Sequence, residues 1–166
     1  EYEESDTIRP GKSIYFQQGL FYIQEPSQMN VVEHLDIQKS DKVLDLCASP
    51  GGKSAQVLNY LSEDDGGFLL ANEYDSKRAK ILSSNIERLG YANVFVTNMT
   101  VNDLQDNFCE YFDKIIVDAP CSGEGMFRKD QTAIEEWSLE NVEMCAKRQE
   151  EILEILSKNK SATVDE

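Results

Sequence analysis

The stretch Asp118-Ala-Pro-Cys-Ser-Gly-Glu-Gly125 brings a carboxyl group and a thiol onto one short loop, three positions apart. Pro120 stiffens the exit from the apolar run before it, and Gly123 and Gly125 let the chain fold around a ligand. One reaction that needs such a pair is methylation of a pyrimidine at carbon. C5 of cytosine is too weak a nucleophile to take a methyl group directly. A thiolate adding at C6 makes an enamine-like ring whose C5 can attack a sulfonium methyl. A carboxyl group beside the exocyclic amine or N3 would orient and polarise that ring, so Asp118 and Cys121 are the candidate catalytic residues. A lone cysteine is otherwise most often a small buried apolar residue, and that reading is kept for Cys47, Cys109 and Cys145.

A second constellation is Asp45-Leu-Cys-Ala-Ser-Pro-Gly-Gly-Lys-Ser54. Its end resembles a phosphate-binding loop, but Cys47 stands where that loop needs its first glycine, and the GxGxxG pattern is absent as well. Pro50-Gly51-Gly52 makes a tight turn ahead of a helix, where backbone can approach a ligand closely; a purely structural turn is the alternative. Glu73 follows within the range at which a carboxylate can take both ribose hydroxyls of a nucleoside, although acids at strand ends are also common as solvated groups. Together the two features fit a nucleoside cofactor without phosphates, of which S-adenosylmethionine is one. Arg128 and Lys129, in Met126-Phe-Arg-Lys-Asp130, could meet phosphate or simply lie at a solvated helix entry.

The elements that must position these residues alternate along the chain. Met29, Val32 and Leu35 suggest a short helix from Ser27, with Ser27 as its cap. Strands are expected at 42–46, 67–72, 93–97 and 113–118, with helices at 54–61, at 76–89 closed by Gly90, and from about 134 to 157. Strand and helix in alternation predict an α/β fold, a parallel sheet with helices on both faces. In such sheets ligands sit beyond the carboxyl ends of the strands. Asp45 and the glycine turn, Glu73, Asn98, and Asp118 to Cys121 all fall there. The acidic last helix reads as a wet face and is assigned no chemistry. Residues 1–12 read as a flexible or linking segment, 13–157 as the domain, and 158–166 as a tail with no strand pattern.

Bulk properties bound the rest. With 166 residues the chain is one domain in size, and no apolar run approaches the roughly 18 residues a membrane span needs. His34 is the only histidine and no cysteine stands in a CxxC pair, so no metal site is expected. Scattered cysteines without a secretory leader fit a reducing cytoplasm. The formal charge of −15 opposes wholesale nucleic-acid binding, because neutralising phosphate takes Lys and Arg, and leaves room only for a local basic stripe.

The two motifs closely resemble those of the Sun-type (NSUN, RsmB, RsmF) RNA cytosine-5 methyltransferases, S-adenosylmethionine-dependent enzymes with a Rossmann-like class I fold. The resemblance extends to Gln24-Glu-Pro-Ser27, Asn72-Glu73, Arg78, Asn85, Arg88-Leu-Gly90 and Arg148-Gln149, and covers residues 13 to 157. The Met126-Phe-Arg-Lys-Asp130 ending is similar to that of the bacterial, RsmF-like branch, which implies ribosomal RNA, 16S above all, as the partner. The resemblance implies that Cys47, Ala48, Ser49, Pro50, Gly51, Gly52 and Lys53 hold the methionine and ribose of the cofactor. Glu73 would take the ribose hydroxyls, Arg78 and Asn98 would serve the same pocket, and Asp118 would face both cytosine and methyl group. It also implies that Cys121 is the thiol that lets product leave, the attacking cysteine coming from a Thr-Cys at the end of the next strand. Leu156 is followed by no Thr-Cys in this sequence. The chain is therefore expected to lack the later strands and to bind cofactor without methylating on its own. A cofactor-binding module without catalysis is the alternative. An amino-group methyltransferase fits less well, since Ala119-Pro120-Cys121 is not the Asp/Asn-Pro-Pro-aromatic loop of those enzymes.

Overall fold

Val43-Leu44, Leu69-Leu70-Ala71 and Ile115-Ile116 are consecutive apolar residues without alternation, and strands of that kind need cover on both faces. The computed structural model describes residues 9–119, 121, 122, 127, 131–135, 137–157 and 163–165, and supplies that cover. Strands β1 (Lys42–Asp45), β2 (Phe68–Asn72), β3 (Val94–Thr97), β4 (Lys114–Ile116) and β5 (Thr163–Asp165) form one parallel sheet in the order β3-β2-β1-β4-β5. The helices are α1 (Ile14–Gln17), α2 (Pro26–Glu33), α3 (Gly52–Leu58), α4 (Ser76–Leu89), α5 (Val101–Asn107), α6 (Gln131–Glu135) and α7 (Leu139–Ser157). Val43, Leu69, Ala71 and Ile116 pack on one face with Val32 and Leu35 and with α3 and α4, through Val57, Leu58, Leu82 and Ile86. Leu44, Leu70 and Ile115 pack on the other with Leu104 of α5, Phe112 and Ile152 of α7.

The strand order sets the place of the site. From β1 the chain winds outward through β2 and β3, then returns to place β4 on the other flank of β1. That reversal opens a crevice at the carboxyl ends of β1 and β4, where ligands of open α/β sheets bind. The loop after β1 and the loop after β4 are the ones carrying the two motifs.

Several boundaries differ from the sequence reading. The helix expected from Ser27 is α2, capped by Glu25, with Pro26 at its first turn and no side-chain cap bond; Ser27 lies inside it. Proline suits the first turn because its missing N–H would have no partner there. Pro10–Lys12, read as part of a linking segment, forms a turn of 3-10 helix. The single helix expected from 134 to 157 is two, because Ser138 starts a new one: its hydroxyl accepts from the Asn141 N–H at 3.1 Å and its carbonyl from Val142 at 3.1 Å. The tail read without strand pattern contributes β5, with Thr163, Val164 and Asp165 in register with Lys114, Ile115 and Ile116. The sheet thus runs one strand past the four legible in sequence. Three residues are too few to show a period, and a strand so short is decided by its partner.

Candidate active site

Asp45 ends β1 and is 1% exposed. Its Oδ2 accepts from the Ser54 hydroxyl at 2.6 Å, while Oδ1 is buried with no hydrogen-bond partner. Burial raises its pKa from about 3.8 to about 6, with the Ser54 bond and Lys53 pulling the other way. After it the chain turns away from the sheet. Leu46 N–H donates to the Ile116 carbonyl and Ala48 N–H to that of Asn72, so the turn is tied to both neighbouring strands. Arg78 donates to the Ser49 carbonyl at 2.9 Å and Asn85 to that of Pro50 at 2.8 Å, so α4 holds the turn from outside. Gly51 then takes φ +112°, a conformation that strains any residue with a side chain, and an added Cβ would also crowd Leu82 of the core. The Ser49–Pro50 peptide is cis.

Lys53, from the first turn of α3, reaches the Asp118 carboxylate at 2.6 Å and so joins the two motifs across the crevice. Glu73, after β2, is 5% exposed. Its Oε1 accepts from the Asp75 N–H at 3.0 Å; its Oε2 lies 3.5 Å from the Arg78 guanidinium without hydrogen-bond geometry, buried and otherwise unpartnered. Asn72, just before it, is fully used: its amide donates to the Leu46 and Met99 carbonyls and accepts from Thr97 and the Met99 N–H.

Two cavities meet at Cys47. One, of about 200 Å³, is lined by Cys47, Ala48, Ser49, Pro50, Gly52, Lys53, Asp45 and Asp118, and on its outer wall by Tyr22, Gln24, Glu25 and Gln28. The other, of about 250 Å³, holds Glu73, Tyr74, Asp75 and Arg78 against an apolar wall of Leu46, Met99, Val101, Met144 and Ile152. Burial pushes the Cys47 thiol up to about 12, and the carboxylates of Asp45, Glu73 and Asp118 push the same way. It stays protonated at neutral pH and serves as wall, not as nucleophile.

Most of the residues singled out in sequence are therefore brought together. Asn98 and Cys121 stand apart. The Asn98 amide donates to the Glu73 and Tyr74 carbonyls at 2.6 and 2.7 Å, so it braces the loop that carries the acid and lines neither cavity. Cys121 is exposed and also lines neither. Arg128 and Lys129 lie outside the described residues. The sequence reading missed the part of α7, whose Met144, Cys145, Arg148 and Ile152 face the Glu73 cavity. Their spacing of i, i+1, i+4 and i+8 marks one helical face, but the surrounding glutamates mask it. Arg148 further lies over the Tyr74 ring, 4.6 Å from its centroid. Among the described residues no cluster of three His, Cys, Asp or Glu could hold a metal, and no helix is long and apolar enough to cross a membrane.

A parallel sheet with this order, a glycine turn after β1 that lacks a phosphate loop and an acid after β2 is the fold of the class I S-adenosylmethionine-dependent methyltransferases. NSun6 from Pyrococcus horikoshii, solved with SFG, superposes with a TM-score of 0.75 at 26% identity, over 92% of this chain and 38% of that one. The chain belongs to the family described as 16S rRNA methyltransferase RsmB/F, whose sequence profile matches residues 32–162. It is 39% identical over 153 residues to ribosomal RNA small subunit methyltransferase F of Aeromonas salmonicida, covering 90% of this chain and 32% of that protein. The protein of the same name from Aliivibrio salmonicida is 43% identical over 142 residues, 84% of this chain and 30% of that one. The chain thus spans about a third of the length of these relatives. S-adenosylmethionine is the cofactor of the family.

Proposed function

We propose that the crevice binds S-adenosylmethionine and presents a cytosine of ribosomal RNA to it for methylation at C5, in the cytoplasm. The observation that carries this reading is the Glu73 carboxylate, buried at a cavity of nucleoside size with one oxygen lacking a hydrogen bond. A ribose hydroxyl supplies the missing donor, and a buried acceptor left unmade costs about 1–3 kcal/mol. The glycine turn fits the same ligand. Its one cation, Lys53, is already paired with Asp118, which leaves little to attract a polyphosphate.

Bound there, the cofactor supplies a sulfonium methyl group. Glu73 would accept from the ribose hydroxyls, with Met99, Val101, Met144 and Ile152 as the apolar wall for the base. The Cys47 to Lys53 turn would hold the methionine end, where Asp45 has the unpartnered Oδ1. Lys53 fixes Oδ2 of Asp118 and so leaves Oδ1 to accept from the exocyclic amine of cytosine. Cys121, on the loop after β4, takes the role of the thiol that lets product leave; the thiol that adds at C6 is assigned to no residue of this sequence.

Calorimetric titration tests the reading. S-adenosylhomocysteine is expected to bind, and Glu73→Gln and Glu73→Ala to weaken it by about tenfold or more, the worth of a hydrogen bond to a charged group. Binding of ATP in its place would defeat the proposal.

A further inference from the structure

A third cavity, of about 330 Å³, lies behind the outer wall of the crevice and shares Tyr22 and Gln24 with it. Its walls are flat or flexible and apolar: Phe21 and Tyr22, Tyr91, Met29 and Leu89. Two carboxamides also line it, and they are incompletely bonded in opposite senses. Gln56 is 8% exposed; its amide nitrogen donates to the Met29 carbonyl at 2.8 Å, which fixes the carboxamide, and its Oε1 is buried with no donor. Gln24 Nε2 is buried with no acceptor. The two groups do not satisfy one another. A buried polar atom without a partner is costly, so Gln56 calls for a donor and Gln24 for an acceptor, and one ligand carrying both would satisfy the pair.

The cavity is held open by its surroundings. Arg88, on α4, donates to the Phe16 carbonyl at 2.6 Å and lies over the Phe16 ring at 4.0 Å. Gly19 has φ +75°, and any Cβ there would collide with the Arg88 carbonyl, so the Gly19–Phe21 wall is clamped to the end of α4. The Tyr91 hydroxyl donates to Asn59 at 2.6 Å, which sets that ring in place.

We propose that this cavity takes an unpaired nucleobase of the RNA, the neighbour in the strand of the base that enters the crevice. Every nucleobase offers two flat faces and an edge on which donor and acceptor stand side by side, the chemistry that the aromatic walls and the two carboxamides lack. Unpaired bases are commonly read in this manner, stacked on aromatic side chains and bonded along one edge. The shared wall fixes the order: a strand that delivers one base into the crevice passes Tyr22 and Gln24 to deliver the next. The inference rests on the crevice being the target-base site, and its test separates the two.

The chain, saturated with S-adenosylhomocysteine, is titrated into a fluorescent five-nucleotide RNA with cytosine at its centre, and anisotropy is followed. An abasic site replaces in turn the central base and each neighbour. Removing one of the two neighbours is expected to weaken binding about tenfold, in the range of one base–aromatic stack. Phe21→Ala is expected to lose as much on the intact RNA and nothing further on that abasic one. If both neighbour-abasic RNAs bind as the intact one does, if Phe21→Ala loses equally on both, or if the RNA does not bind, the base site is overturned. Indifference to the central abasic site alone would instead count against the target-base reading of the crevice.

Discussion

Asp45 is the residue at which stability and function pull apart. Its folded pKa of about 6 lies above its ordinary value near 3.8, so the native state holds the proton more tightly than the unfolded chain. The sign follows from linkage: its contribution to stability is most favourable below about pH 4, falls as pH rises to about 6, and is flat above. A shift of this size corresponds to roughly 3 kcal/mol. Asp45→Asn is expected to remove that decline, and urea unfolding of both proteins at pH 4, 5, 6 and 8 checks it. A parallel pH dependence in the two proteins would place the cost elsewhere. Asp45, Glu73 and Asp118 were legible in sequence because each ends an apolar run. Which cysteine is masked and which is open was not: Cys47 and Cys121 have similar neighbours in sequence, and only the packed turn buries the first.

At the scale of elements, α5 is a seven-residue helix that sequence periodicity does not reveal, since Val101 and Leu104 are its only large apolar residues. A capping box holds its start: Thr100 accepts from the Asp103 N–H at 3.1 Å, and the Asp103 carboxylate accepts from the Thr100 N–H at 3.1 Å. The Thr100 bonds lower the Asp103 pKa. Thr100→Ala is expected to cost about 1 kcal/mol in chemical unfolding. Met99 and Val101 flank the cap and line the Glu73 cavity, so the same variant is expected to bind S-adenosylhomocysteine severalfold more weakly. Unchanged affinity would mean that the cavity wall is held by α7 instead. The long α4 was readable because it repeats a period several times, and the central strands because they are unbroken apolar runs. Turns of helix near Pro10 and Ile14, α5 and β5 are too short to do so, and the contacts they make decide their form.

For the whole molecule, a charge of −15 opposes RNA binding by composition, so the RNA contact proposed above has to rest on a few local cations. Among the described residues the cations lining the two cavities that meet at Cys47 are Lys53, Arg78 and Arg148, and the first two face Asp118 and Glu73. Each phosphate neutralised on a single strand contributes a slope of about −0.7 to the logarithm of affinity against that of salt. Three such contacts give about −2 at most. RNA binding by this chain is therefore expected to be only mildly salt-sensitive, and anisotropy titrations between about 50 and 200 mM salt, over which the Debye length roughly halves, measure it. A much steeper slope would reveal a basic grip outside these cavities.

The order of the sheet leaves β3 at its margin, paired only with β2 among the described residues, and its sequence there is Val94-Phe95-Val96-Thr97 with Phe95 59% exposed. It bears no charge, proline or bulge, the devices by which natural margins discourage self-pairing. Two chains can therefore zip together along this side when concentrated or warmed, and clumping would begin at the flank most distant from the β5 side of the sheet.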